Sequence, residues 1–268
     1  MTQLSPDEIN ERIQKLSRTQ AQILETPQMQ AFHRWLEGKR LARQSCRVVG
    51  DSRTGKTISC DTYHLKNRAT QLPGQAPIVP VLYWQCPESL SLSGLLVGLL
   101  DRLQYQATRG RIADLRKRMY RVLESCQVEM IIFDEAQRAS APALGEIRDT
   151  EEHLDIAVVL VGTDRLNTVV QRDKQVEYRF LATYRYPRLT ADELLETTAL
   201  WEENVLKLPE PSNLTSPKAQ QLLVQGTRGC IGLLDQILRD AAIRALQHGE
   251  LYIGLKRLKQ VVKECSLT

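Results

Sequence analysis

From residue 6 to residue 45 the apolar positions recur at helical spacing. Ile9, Ile13 and Leu16 fall on one face, and Ser5, Pro6 and Glu8 suit the start of a helix. Pro27 interrupts the pattern. A second amphipathic stretch carries Phe32, Trp35 and Leu36, and its spacing predicts an end near Gly38, before Lys39, Arg40 and Arg43. The pattern then changes to short apolar runs bounded by turn residues, at 46–49, 78–84, 130–133 and 156–161, with a weaker one at 184–186. Pro80, inside the second run, marks a strand end or an irregularity. The runs do not alternate with polar residues, so they predict strands buried on both faces. Helix-like stretches at 56–69, 89–105, 111–125, 141–153 and 164–176 separate most of them. This alternation predicts an α/β fold with a five-stranded parallel sheet. Beyond residue 190 only helical patterns remain, at 190–205, 217 onward, 229–247 and 253–264. The proline-bearing tract 208–217 reads as a linker or hinge. The expected organisation is an N-terminal helical arm (1–45), an α/β core (46–190) and a small C-terminal helical lid (191–268).

Composition narrows the class without naming it. The 268 residues are 42% hydrophobic and 25% charged, which excludes collagen-like or wholly disordered chains. No apolar run approaches the length of a membrane span, so no membrane partner is expected. The opening MTQLSPDEINERIQK lacks the apolar core of a signal peptide, so a cytoplasmic chain is expected. Cys46, Cys60, Cys86, Cys126, Cys230 and Cys265 form no CxxC pair, and reduced thiols are the expectation. The net charge of +4 is unevenly spread. Residues 102–121 hold seven Arg or Lys against Asp114, and 129–155 hold eight acids against Arg138 and Arg148. Such asymmetry suits one face meeting a polyanion, and equally a solvated helix face.

The chemistry begins at Gly50-Asp51-Ser52-Arg53-Thr54-Gly55-Lys56-Thr57, which fits GxxxxGK[ST] between a strand-like and a helix-like stretch. The glycines let backbone amides wrap a phosphate at a helix N-terminus. Lys56 would reach the β- and γ-phosphates of ATP, and Thr57 would ligate Mg2+. The bland alternative is a strand-to-helix turn with a surface lysine. The run at 130–133 ends in Asp134-Glu135. Asp134 suits holding the metal through water and Glu135 suits acting as general base, although paired acids also cap helices. At the end of the 156–161 run stand Gly162, Thr163 and Asp164. Thr163 is placed to orient the lytic water, or with Asp164 to cap the next helix.

These pieces together resemble an AAA+ ATPase, and more narrowly the transposition regulators of the TnsC/TniB type, related to MuB, that serve transposons with DDE transposases, CRISPR-associated ones included. The resemblance covers nearly the whole chain. It rests on WLEGKRLARQSCRVVGDSRTGKT, VEMIIFDEAQR, DIAVVLVGTDRL, QVEYRF and GLLDQILRDAAIRAL. It implies an ATPase that polymerises on double-stranded DNA with ATP, links a target-selection protein (a TniQ-type adaptor or a CRISPR effector) to the transposase, and disassembles on hydrolysis. It implies that Arg179 of QVEYRF is the finger completing a neighbouring subunit's site, with Arg172 as second candidate; a surface arginine paired to Glu177 or Asp173 is the alternative. It points DNA contacts to Ser89, Ser93, Thr108, Arg109 and Arg111. The aromatic content of 5% disfavours stacking on single strands. The chain departs from the family where a lid arginine is expected: none follows Gly229 or Gly232, and Arg228 and Arg239 are the nearest. A small-molecule kinase using the same loop, or a non-hydrolysing adaptor, are the competing readings.

Overall fold

In the computed structural model, which describes residues 5–17, 23–71 and 73–265, the apolar runs form one sheet. Its strands are β1 (Cys46–Val49), β2 (Val81–Gln85), β3 (Met130–Asp134), β4 (Ala157–Gly162) and β5 (Thr183–Arg185), in the order β2-β3-β4-β1-β5. All four pairings are parallel; Val48 lies opposite Val161 and Tyr184, and Ile132 opposite Tyr83 and Val159. Every residue of β1, β3 and β4 is buried, as expected where helices cover both faces. Both edge strands are flanked by proline: β2 by Pro80 and Pro87, β5 by Pro187.

Helices join the strands: α3 (Lys56–Lys66), α4 (Leu92–Arg102), α5 (Ile112–Ser125), α6 (Ala141–Leu154), α7 (Arg165–Val170) and α8 (Lys174–Arg179), preceded by α2 (Pro27–Leu41). Side chains alternate across a strand, so one sheet face presents Ile131, Phe133, Val158 and Leu160. There they pack with Leu95, Leu96 and Leu99 of α4 and Leu115, Met119 and Leu123 of α5. The opposite face presents Val48, Ile132, Val159 and Val161 to Phe32 and Leu36 of α2 and Cys60 and Tyr63 of α3. Each such buried side chain contributes about 1.5–3 kcal/mol.

Three local expectations shift. The second strand starts at Val81, not at residue 78. Pro80 has no N–H to give, its carbonyl accepts from Glu129 and Met130, and Ile78 instead bridges Thr70 in antiparallel fashion. The helical stretch 164–176 is two helices, because the Asp173 carboxylate accepts from Gln175 N and Val176 N and starts a new one. The helix at 27–41 runs through Gly38 and ends before Arg43, whose backbone is left-handed at φ +51°.

The chain divides into two compact units. One is Gln28–Asp51 with Lys56–Tyr186; the other is Met1–Pro27, Ser52–Gly55 and Pro187–Thr268. The second unit is helical: α1 (Pro6–Ser17), α9 (Ala191–Trp201), α10 (Pro217–Thr227), α11 (Ile231–Gln247) and α12 (Leu255–Cys265). Thr190 and Glu193 cap α9 reciprocally. Leu16 of α1 is buried with Leu194, Trp201, Leu223, Leu234, Ile237 and Leu258. The tract 208–217 is fastened rather than loose. After α9 comes a π-helical turn, Glu202–Leu206, and the Glu202 carboxylate accepts from the backbone N–H groups of Ser212, Asn213 and Leu214 at 2.6, 3.0 and 3.1 Å. Among the described residues, no helix is long and apolar enough to cross a membrane.

Candidate nucleotide and DNA sites

β1 ends at Val49, and the phosphate loop turns into α3 at Lys56. Gly50 has no room for a side chain: a Cβ there would meet the Tyr186 carbonyl oxygen at 2.6 Å. Arg53 and Gly55 hold the loop in left-handed conformations, φ +65° and +100°. Lys56 is 6% exposed, and its Nζ donates to the carbonyls of Gly50 (2.8 Å) and Asp51 (2.6 Å). Burial holds the Lys56 ammonium below the usual lysine range, against the opposing pull of Asp134, Glu135 and Asp51. A buried cation served by two carbonyl oxygens at a helix N-terminus fits the phosphates of a nucleotide.

Thr57 and Asp134 meet across the start of α3 and the end of β3. Thr57 Oγ1 donates to Asp134 Oδ2 at 2.7 Å, Tyr83 Oη donates to the same oxygen at 3.0 Å, and Glu135 N donates to Oδ1 at 2.8 Å. Asp134 is 1% exposed. Burial first, then Asp134, pushes the Tyr83 hydroxyl above its usual range and keeps it a donor. Two adjacent hard oxygen ligands fit magnesium, which fills its shell with water and phosphate oxygens. No group of three or more His, Cys, Asp or Glu suited to a metal occurs among the described residues. Sequence reasoning missed Tyr83, which reaches the site only through the β2–β3 register.

Glu135 has a left-handed backbone at φ +55°, and its Oε2 accepts from Gln137 Nε2 at 2.7 Å. Thr163 stands at the exit of β4, half-buried, and its carbonyl accepts from Leu166 N. Asp164 makes no side-chain cap on α7; its carboxylate pairs with Arg185 at 2.9 Å.

Arg179, at the end of α8, pairs with Glu152 at 3.0 Å and Glu151 at 3.6 Å. The partners considered from sequence are otherwise engaged: Glu177 holds Lys174, and Asp173 caps α8. Arg172 lines an open cleft of about 510 Å³ with Glu88, Glu135, Gln137, Arg138 and Arg165.

Of the residues considered for DNA, Ser89, Ser93, Arg109 and Arg111 are exposed and Thr108 is half-buried. Ser91, between the two serines, caps α4. The turn before α5 is held by Arg118, whose Nη1 donates to the carbonyls of Ala107 (3.1 Å) and Arg109 (2.6 Å), with Gly110 at φ +144°. The basic run is therefore divided in its roles. Arg116 forks onto Glu146 and Arg118 braces the turn, while Arg102, Arg109, Arg111, Lys117 and Arg121 stand exposed. The acidic tract is largely consumed within the protein, by Arg40 and Arg43 on Glu129, Arg116 on Glu146 and Arg179 on Glu151 and Glu152.

In the helical unit, Gly232 N donates to the Arg53 carbonyl at 2.9 Å, and the Arg53 guanidinium reaches the Gln236 side chain. Arg239 is held elsewhere, on Asp235 and on the carbonyl of Leu16.

A phosphate loop after the fourth strand in the order β2-β3-β4-β1-β5, with an acid pair ending β3, defines a P-loop nucleotide-binding protein of the AAA+ class. Solved structures share the fold. ORC2 of Aeropyrum pernix, in ADPNP–ADP complexes, matches with a TM-score of 0.71 at 16% identity over 93% of this chain and 71% of that one. Cdc6 of Pyrobaculum aerophilum matches at 0.72 and 16% over 94% and 70%. ORC1 of Aeropyrum pernix in complex with DNA matches at 0.69 and 15% over 94% and 69%. No curated protein matches significantly. The chain belongs to the bacterial TniB family, whose model matches residues 11–188, and is an AAA+ ATPase.

Proposed function

We propose that this chain is an ATP-dependent regulator of transposition that assembles with its own copies on double-stranded DNA, links target selection to the transposase, and disassembles when it hydrolyses ATP. The observation that carries the reading is the meeting of Lys56, Thr57 and Asp134 at the carboxyl ends of β1 and β3 in a chain of the TniB family. In this reading the loop amides and Lys56 hold the phosphates, and Thr57 and Asp134 hold Mg2+, which neutralises phosphate charge when bound. Glu135 takes the proton of the attacking water, and Thr163 orients that water. Arg179 leaves Glu151 and Glu152 to reach a neighbouring copy's nucleotide. Its exposure and its pairing with the exposed Glu152 support this, since such a pair is weakly held.

Arg109 and Arg111, with Thr108, Ser89 and Ser93, contact the phosphate backbone of the duplex. The braced, exposed turn supports sequence-tolerant binding of this kind. The solved ORC1 complex with DNA, on the same fold, agrees with a DNA partner. The remaining partners are a transposase and a target selector, either a TniQ-type adaptor or a CRISPR effector. The test is electron microscopy of the purified chain with duplex DNA and either ATP, a slow ATP analogue or ADP. Filaments or rings confined to the ATP-like states are expected; particles indifferent to DNA would refute the reading.

A further inference from the structure

The last helix of the helical unit, α12, spends its apolar residues inside that unit: Leu258, Val261 and Val262 are buried in its core. The other side of the helix carries Lys256, Lys259 and Lys263, all exposed. Residues three, four and seven apart share one face of a helix, so these lysines form a stripe. At about 1.5 Å per residue the stripe spans about 10 Å.

Like charges on one helix face cost stability unless acids relieve them. Other helices of the unit pair a base with an acid one turn away, as Lys15 with Glu11, Arg239 with Asp235 and Arg244 with Asp240. Around α12 the acids are already taken. Glu264 serves Arg244 at 2.7 Å, and Glu250 serves Arg257 at 2.8 Å. The three ammonium groups have no ion pair or hydrogen bond among the described residues.

The chemistry of the stripe selects its partner. The apolar side of α12 is buried in protein, which leaves none to enter a membrane. From Lys256 to Glu264 no exposed side chain is apolar, and lysine is depleted from protein interfaces, which are anchored by aromatic residues and arginine. A polyanion with regularly spaced charge fits better. The stripe covers about three steps of a duplex strand at about 3.4 Å each. Flexible lysines meet phosphate oxygens without reading bases. Beside the first of them, Tyr252 is 47% exposed and lines an open cavity of about 350 Å³ with Lys256, which adds a hydroxyl donor.

We infer that Lys256, Lys259 and Lys263 are a second contact with the phosphate backbone of double-stranded DNA, made by the helical unit and separate from the turn at Arg109 and Arg111 in the other unit. The inference rests on the reading of duplex DNA as a partner of this chain. The contact reads no sequence and adds affinity that depends on salt.

The experiment is equilibrium binding of a fluorescently labelled duplex by the full chain with a slow ATP analogue, over a salt series. Wild type is compared with Lys256→Gln, Lys259→Gln and Lys263→Gln combined. A control removes the same charge elsewhere, with the exposed Lys15, Lys174 and Lys207 each changed to Gln. The stripe variant is expected to lower the slope of log affinity against log salt by about two to three, at about 0.9 per phosphate contact, and to lose about tenfold or more in affinity at about 0.1 M salt. Its melting temperature is expected not to fall, since glutamine forms helix as well as lysine, and its ATP hydrolysis without DNA is expected to match wild type. The control is expected to keep the wild-type slope. An unchanged slope in the stripe variant overturns the contact and leaves the stripe to an acidic protein or to solvent. An equal fall in the control overturns it as well, because net charge then accounts for the loss. Failure of wild type to bind duplex is a separate result that removes the DNA reading itself. If only Arg109→Ala with Arg111→Ala lowers the slope, the DNA reading stands and this contact alone falls.

Discussion

At the phosphate loop, Lys56 and Asp134 are 6% and 1% exposed, and each polar atom discussed there is engaged by a neighbour at 2.6 to 3.0 Å. At the basic turn the backbone is just as firmly held, by Arg118, yet the side chains of Arg109 and Arg111 stand in solvent with no partner among the described residues. The first region fixes where atoms are, and one lost contact there disturbs several others. The second fixes only where charge is, and its side chains remain free to follow a ligand. Nucleotide chemistry demands the first kind of order, and contact with a phosphate backbone of any sequence tolerates the second.

The comparison breaks if the buried site tolerates change. Lys56→Ala is expected to abolish nucleotide binding and hydrolysis, about a hundredfold or more, as read by equilibrium binding of a fluorescent ATP analogue. Asp134→Asn is expected to lower kcat by about two orders of magnitude while nucleotide still binds. A magnesium titration checks it, and unchanged turnover would show that Asp134 serves only Thr57 and Tyr83.

The exposed turn is expected to respond by degree. Arg109→Ala with Arg111→Ala should weaken ATP-dependent DNA binding severely, leave nucleotide affinity intact, and reduce the slope of log affinity against log salt by about two. An unchanged slope across a salt series would remove these arginines from the interface. Arg179→Ala separates the two kinds of order again. Its loss leaves the nearly buried Glu151 carboxylate without its cation, so folding stability should fall by about 1–3 kcal/mol, while hydrolysis by the assembled protein falls about a thousandfold. Equal stability and equal turnover would leave Arg179 a surface residue.

The smallest effect concerns pH. The folded pKa of Lys56 lies below its unfolded value, so the unfolded chain binds more protons between the two, and stability from this group rises with pH through that window. Lys56→Met should therefore raise the melting temperature of the nucleotide-free protein near neutrality by about a few degrees, with the gain shrinking as pH climbs toward the unfolded lysine value. A constant difference at all pH values would place the effect in packing rather than charge.

The strands and most helices were legible because apolar runs without alternation have few other uses in a chain of this composition. The 50–57 loop, Asp134 and Glu135 stand out in the sequence because the phosphate and metal chemistry proposed for them restricts residue type and spacing together. Tyr83, Gln137 and Arg138 do not. Tyr83 reaches Asp134 through strand register, and Gln137 lies against Gly162 at the end of β4; neither relation leaves a spacing in the sequence. Arg179 was read by resemblance, and its pairing to α6 depends on how α8 packs, which no local pattern encodes. The split of 164–176 turned on Asp173, a cap that resembles any other acid in a helical stretch.

The prolines beside the edge strands have a consequence for solution behaviour. An open sheet edge is a template on which further chains add without limit. Here β5 is three residues long and runs into Pro187, and β2 is bracketed by Pro80 and Pro87, so neither edge offers a long uninterrupted ladder. Copies of this chain are thereby steered away from joining backbone to backbone, an irreversible route. Contacts made by side chains can be undone by a change of charge, and the reversible assembly proposed for this chain would be kept from amyloid-like growth on those terms.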